Sequence, residues 1–173
     1  MTALRRRVVP LDAETKVGER PSDHKLELRL WLRMLTCSTM IQSEIRRRLQ
    51  RQFGVTLPRF DLMAQLEKAP DGLTLGELSR RMMVSNGNVT GLVERLSRDG
   101  LLERRTNAAD GRSALVALTE GGRAAFAAMA NAHGDWVAEF FRDISDADLE
   151  RLMNLLGRSK ESARAALTGA TSR

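Results

Sequence analysis

The sequence predicts a mainly α-helical fold broken by one small β-hairpin, and three observations predict it. Apolar residues recur at three- and four-residue spacing in six separate stretches, the signature of helices with one buried face. Strand character is confined to two short runs, 101–106 and 113–118, on either side of a turn-rich Asn107-Ala-Ala-Asp-Gly-Arg112. The composition is 42% hydrophobic but only 4% aromatic, with no tyrosine, which suits a leucine- and alanine-rich helical core.

Residues 1–21 read as a flexible basic tail carrying Arg5, Arg6, Arg7, Pro10 and Pro21. Such an arm either grips phosphates or an anionic ligand, or is simply solvated. Ser22 or Asp23 can cap a long helix running to about Phe53. Leu30, Met34, Cys37, Ile41 and Ile45 form one stripe on it, and Leu28, Trp31, Leu35 and Leu49 widen that stripe. So much apolar surface needs more than one neighbour, as at a dimer seam. The helix ends in RRRLQRQ, where Arg46, Arg47, Arg48 and Arg51 either suit a helix C-terminus electrostatically or form a phosphate-binding patch. Gly54-Val-Thr-Leu-Pro58 turns into a helix over Pro58–Lys68, packed by Phe60, Leu62, Met63 and Leu66, with Arg59 at its start.

Thr74 and Glu77 have the spacing of a capping box and open a helix from Leu75 to about Met82. Val84 and Ser85 break the pattern, and Ser85 is a good N-cap for a second helix. Val89, Leu92, Val93 and Leu96 give that helix a buried face, and Asp99-Gly100 ends it. Its other face carries Gly87, Gly91, Glu94 and Arg98, flanked by Asn88, Thr90 and Arg95. Two glycines on an exposed helix face cost about 1 kcal/mol each against alanine, so stability alone would not place them there. They remove bulk where a partner's surface comes close, and the polar groups around them are those that read base edges and phosphates. The hairpin follows at once, with Arg104 and Arg105 on its first arm and Arg112 at its tip. A basic hairpin after two short helices and a tight turn makes a winged helix-turn-helix, whose tip arginine can enter a minor groove. Asp110 can orient the tip by pairing with an arginine at the hairpin base.

Beyond the hairpin, Thr119 caps a helix from Glu120 to about Arg142. Ala124, Ala127, Ala128 and Ala130 make its upper half slim; Trp136, Val137, Phe140 and Phe141 make its lower half bulky. Ser145-Asp-Ala-Asp148 starts a last helix to about Leu167, with Leu149, Leu152, Met153, Leu155 and Leu156 in a broad stripe. A lone chain would expose a large apolar patch here.

The run TLGELSRRMMVSNGNVTGLVERLSRDGLLERR, followed by Asp110-x-Arg112 and LVALTEGGR, resembles the MarR family of bacterial transcriptional regulators. The likeness extends over roughly residues 26–168. It implies a winged helix-turn-helix inside an all-helical, intertwined dimer. Residues 22–53 and 120–168 would then supply dimerisation helices around a DNA-binding lobe at 54–119, in one domain from 22 to 173. Two-fold symmetry sets the recognition helices about one DNA turn (~34 Å) apart and calls for an inverted-repeat operator. Asn88, Thr90 and Arg95 are then candidates for base-edge contact. Ser85, Asn86, Arg80, Arg81, Arg98 and Arg59 are candidates for phosphate contact, and Arg112 for the minor groove.

The resemblance also implies a small-molecule effector bound between the first helix, the second helix and the helix after the wing. Trp31, Met34, Leu35, Met40, Phe60, Met63, Trp136 and Phe140 are candidates to line that cavity, with His133 at its edge. WLRMLTCSTMIQSEIRRRL and the segment from Leu57 on are similar to repressors of aromatic-acid catabolism, the CouR-like proteins that respond to p-coumaroyl-CoA. An aromatic acyl-CoA would seat its acyl group in the apolar cavity and its phosphates on Arg46 and Arg47. Some relatives of the family sense peroxide through a cysteine in this first helix, assisted by tyrosines. A lone cysteine on such a stripe is otherwise a small core hydrophobe.

The charge distribution fits an anionic partner at the front of the chain. The net charge is +6, with surpluses of +5 in residues 1–73 and +2 in 74–118 and a deficit of −1 in 119–173. Of the 28 basic residues 24 are arginine, a preference that genomic composition can also produce. No apolar run approaches the ~20 residues of a membrane span, and MTALRRRVVP lacks the apolar core of a signal peptide, so a cytoplasmic protein is expected. One cysteine forms no intrachain disulfide. His24 and His133 stand far apart without partners at metal-ligand spacing, and no nucleophile elbow or phosphate loop occurs. Neither a metal site, a resident cofactor nor an enzyme is expected.

Overall fold

A computed structural model of the chain describes residues 25–106 and 114–170. In order, the elements are α1 (Leu26–Phe53), α2 (Leu57–Glu67), α3 (Leu75–Met82), α4 (Asn86–Arg98), β1 (Leu102–Thr106), β2 (Ala114–Leu118), α5 (Glu120–Phe141) and α6 (Asp146–Ala170). The fold is mainly helical with one antiparallel hairpin, as the sequence predicts. The chain divides into two compact units, the first ending at His133 and the second beginning at Gly134, within α5. The expected caps Ser22 and Asp23 lie outside the described residues, as do the basic tail, Asp110 and Arg112; α1 starts after Lys25 without a side-chain cap.

In the first unit, local chemistry fixes each boundary. Gly54 closes α1 in the left-handed region (φ 66°), its N–H donating to the Gln50 carbonyl and the next N–H, that of Val55, to the Leu49 carbonyl. Pro58 stands in the first turn of α2, where its missing N–H is no loss. Thr74 and Glu77 form the reciprocal capping box: the Glu77 N–H donates to Thr74 Oγ1 (3.2 Å), and the Thr74 N–H donates to Glu77 Oε2 (2.8 Å). Ser85 Oγ accepts from the Asn88 N–H at 3.5 Å, and α4 begins there. Between α3 and α4, Met83 holds φ 55° without being glycine and is 92% exposed. Such a conformation costs an L-residue roughly 1–2 kcal/mol, and the sharp turn between the two helices imposes it.

The unit is held by Leu49, Leu62, Met63, Leu66, Leu78, Val89, Val93, Leu96, Val116 and Met129, each less than 2% exposed. Each such side chain contributes about 1.5–3 kcal/mol on leaving water. The hairpin pairs Leu102 with Leu118 through Thr106 with Ala114, and Leu73 adds a bridge to Val116 through two backbone hydrogen bonds of 2.8 and 2.9 Å. Two glycines make these joints possible. Gly72 has φ 95°, and a Cβ there would come within 2.9 Å of the Val116 carbonyl oxygen. At Gly122, a Cβ would lie 2.0 Å from the Leu101 carbonyl oxygen, so α5 can touch the root of the hairpin only through glycine.

The α1 stripe is buried only in part. Ile45 and Leu49 are in the core, but Leu26, Leu28, Leu30 and Trp31 are 44–71% exposed. Cys37 corrects the reading of a small core hydrophobe: it is exposed, and Thr36 beside it is the buried residue. Apart from Thr36, α1 is buried by its own chain only near its C-terminal end, at Ile45 and Leu49, and the stripe before that end is left largely uncovered.

In the second unit, Ser145 caps α6 by accepting from the Asp148 N–H (3.2 Å). Leu152, Met153, Leu155 and Leu156 are 38–73% exposed. The helix runs three residues past the expected end at Leu167. The apolar stripe exists, and its own chain does not bury it.

Candidate nucleic-acid interface

The helix-turn-helix positions a polar face on α4 because Val89, Val93 and Leu96 anchor its other side in the core. Asn86, Gly87, Asn88, Glu94, Arg95 and Arg98 are exposed on the outward side, as are Arg80 and Arg81 at the end of α3. Among the described residues, a Cβ at either Gly87 or Gly91 would meet no atom within 4 Å. Internal packing therefore does not require these glycines. Ser85 and Thr90 are partly committed: Ser85 caps the helix, and the Thr90 hydroxyl donates to the Asn86 carbonyl at 3.0 Å. Their remaining lone pairs still leave acceptor capacity.

Arg59 sits differently from the other candidates for phosphate contact. It is ion-paired through Nη2 with Asp99 Oδ2 at the far end of α4, its side chain only 19% exposed and its buried Nε without a partner. In the sequence Asp99 reads only as a helix terminator, and the separation of 40 residues gives no local signal of the pair. Nor does the sequence mark Arg105 as a strut. Its guanidinium binds Glu103 through two bonds of 2.6 and 2.8 Å and donates to the Pro70 carbonyl at 3.3 Å, tying the first arm of the hairpin to the α2–α3 loop. Thr119 completes the hairpin root by donating to the Gly100 carbonyl (2.8 Å) while accepting from the Gly122 N–H (2.9 Å).

The arginine cluster ending α1 is largely self-paired. Arg47 forms two bonds to the Glu44 carboxylate (2.5 and 2.7 Å), Arg48 a third (2.7 Å), and Arg46 donates to Gln42 (3.2 Å). The Arg47 hydrogen bonds hold the Glu44 carboxyl down at about 2, against the partial burial that opposes them and with Arg48 assisting. Glu77 is lowered too, by the Thr74 N–H and hydroxyl of the capping box. At Asp61, burial pushes the carboxyl up, opposed by the electrostatic influence of the neighbouring His133 and Arg46 side chains.

The effector candidates fall into separate environments. Phe60 and Met63 are core residues, and Phe60 stacks obliquely on Phe126 (5.4 Å) and His133 (5.1 Å). Met34 is half-buried, while Trp31, Leu35 and Met40 are 40–57% exposed. Trp136 and Phe140, half-buried, belong to the second unit. A shallow cleft lined by Thr74, Leu75, Gly76, Arg104, Ala114 and Val116 contains none of them. Among the described residues, no group of three metal-ligating side chains is assembled, and no helix is long and apolar enough to cross a membrane.

Residues 53–113 match the model of the MarR family. The chain is 34% identical over 106 residues to the transcriptional activatory protein BadR of Rhodopseudomonas palustris, a match covering 59% of this chain and 60% of that protein. It is 29% identical over 105 residues to the transcriptional repressor YetL of Bacillus subtilis, covering 60% and 63% respectively. The matched part thus spans under two thirds of either relative's length, and both relatives are transcription regulators rather than enzymes. In structure, it superposes on a MarR family transcriptional regulator from Silicibacter pomeroyi with a TM-score of 0.66 and 38% identity, over 79% of this chain and 94% of that one. A helix-turn-helix with a hairpin wing, matched in sequence and in backbone to these regulators, establishes that the chain belongs to the MarR family.

Proposed function

We propose that the protein is a dimeric, sequence-specific DNA-binding transcriptional regulator. The observation that carries this reading is the outward face of α4, where Gly87 and Gly91 keep a helix surface low although no described residue occupies the space. Exposed Asn88, Arg95 and Arg98 surround that surface, and the hairpin with Arg104 stands at the end of the helix. Base edges are read by such amide and guanidinium groups once backbone contacts have set the register. The exposed leucines of α1 and α6 support a second copy as the partner that covers them. Two copies would place two α4 helices in successive major grooves, ~34 Å apart, on an inverted repeat. Asp110 and Arg112 would form the wing tip, Arg112 in the minor groove. Selection of duplexes from a randomised pool by the full-length protein tests the reading. Recovery of an inverted repeat with that half-site spacing supports it; recovery of no preferred sequence removes it.

We further propose that it is a repressor of aromatic-compound (hydroxycinnamate) catabolism genes, released from DNA by an aromatic acyl-CoA such as p-coumaroyl-CoA. The apolar, partly exposed Trp31, Leu35 and Met40 and the arginines ending α1 have the chemistry for an aryl group and for phosphates. Arg46, which donates to the neutral Gln42 at 3.2 Å whereas Arg47 is bound to the Glu44 carboxylate, is the more available of the two proposed phosphate ligands. Titration with p-coumaroyl-CoA should dissociate the DNA complex. A second reading rests on the exposed Cys37 thiol, whose oxidation would switch the same dimer. Release by peroxide and not by the thioester selects it. Release by neither leaves an activator or an architectural dimer without effector; the likeness to an activatory protein gives activation, as against repression, a precedent.

A further inference from the structure

The Arg59–Asp99 pair stands where neither residue suits its own helix. Arg59 is a cation in the first turn of α2, next to the positive end of that helix dipole. Asp99 is an anion at the C-cap of α4, next to the negative end of the other. Each charge alone is disfavoured by its own helix. Together they cancel, and the contact they make joins α2 to the junction of recognition helix and wing. Burial of the Arg59 Nε without an acceptor adds a further cost that individual helix stability does not explain.

The neighbours of Arg59 extend the connection. Phe60, the next residue, packs on Phe126 and His133 of α5. Gly100, immediately after Asp99, takes φ 72° and receives the Thr119 hydroxyl on its carbonyl. One turn of α2 thus grips α5 with Phe60 and the end of the recognition helix with Arg59. Resting on the reading of α4 as a DNA-reading helix, we propose that Arg59 and Asp99 are positioning residues: their pair sets the orientation of α4 and the wing against the helical frame, and thereby sequence specificity. Arg59 is then not a phosphate ligand.

The two roles leave different marks on binding to the best duplex recovered from a randomised pool, measured over a range of salt. A lost phosphate contact lowers the slope of log affinity against log salt by ~1 and weakens specific and random duplexes alike. A lost positioning pair leaves the slope unchanged and weakens only the specific duplex, by roughly five- to tenfold for Arg59→Met or Asp99→Asn alone. The reversed pair, Arg59→Glu with Asp99→Arg, puts each charge at the favourable end of its helix. It should melt no lower than wild type and recover most of the specific affinity, which keeps the test decisive if a single variant folds poorly. Unchanged specific affinity in Asp99→Asn overturns the proposal, as does a drop in salt slope confined to Arg59→Met. If the wild-type chain prefers no duplex, the DNA-reading assignment itself fails and the proposal falls with it; a wild type that selects DNA while Asp99→Asn matches it sinks the positioning role alone.

Discussion

The recognition helix α4 and the long helix α1 both turn a face away from their own chain, and the two faces are opposites. On α4 that face is glycine, amide and guanidinium; on the first half of α1 it is leucine and tryptophan, with Leu26, Leu28, Leu30 and Trp31 44–71% exposed. A polar face lowered by glycines stays hydrated until a polar partner arrives. An apolar face of that size is stable only when covered. On the proposed reading, the difference separates a surface for transient, salt-sensitive reading of DNA from a surface for permanent assembly.

The largest effect should come from charging the apolar face. Leu28→Glu together with Leu35→Glu should weaken self-association by on the order of 4 kcal/mol, seen by sedimentation as a shift to the single chain. If the double variant still sediments as wild type, the α1 face is not the seam.

Next in size is Gly122→Ala, which forces a methyl onto the Leu101 carbonyl oxygen 2.0 Å away. A loss of about 2–3 kcal/mol in denaturant unfolding is expected, because backbone rather than a pliable side chain must move. Thr74→Ala removes the capping box and should cost about 1 kcal/mol without altering self-association, since it acts on α3 alone.

The smallest effect is the pH response of the clamp at the end of α1. The folded Glu44 carboxyl titrates at about 2, below its ordinary 4.5. Its contribution is therefore complete above the ordinary value and is lost as pH falls through about 2. A Glu44→Gln chain should lack that part of the acid sensitivity, and identical acid profiles for the two proteins would contradict the clamp.

Much of the winged helix-turn-helix is legible in the sequence because its boundaries are set by short-range chemistry. Thr74 with Glu77, Ser85, Gly100 and Thr119 each act within a few residues and are found where their spacing predicts. What escaped was long-range. Arg59 and Arg105 look like free cations until the fold brings Asp99 and the Pro70 carbonyl to them. Met83 takes a glycine-like conformation that no propensity announces, because the turn between α3 and α4 dictates it. The α1 stripe was legible as apolar, but periodicity does not say whether a residue such as Cys37 meets its own chain or another.

Gly91→Ala tests the central claim most directly, because the chain gives that methyl open space. With stability and affinity for the selected duplex measured on the same protein, the variant should unfold about 1 kcal/mol harder, the ordinary gain of alanine over glycine in a helix. It should nevertheless bind its duplex more weakly, since the methyl stands where DNA must approach. A variant that gains stability and binds as well as wild type would show that the low face of α4 is not where the duplex lies.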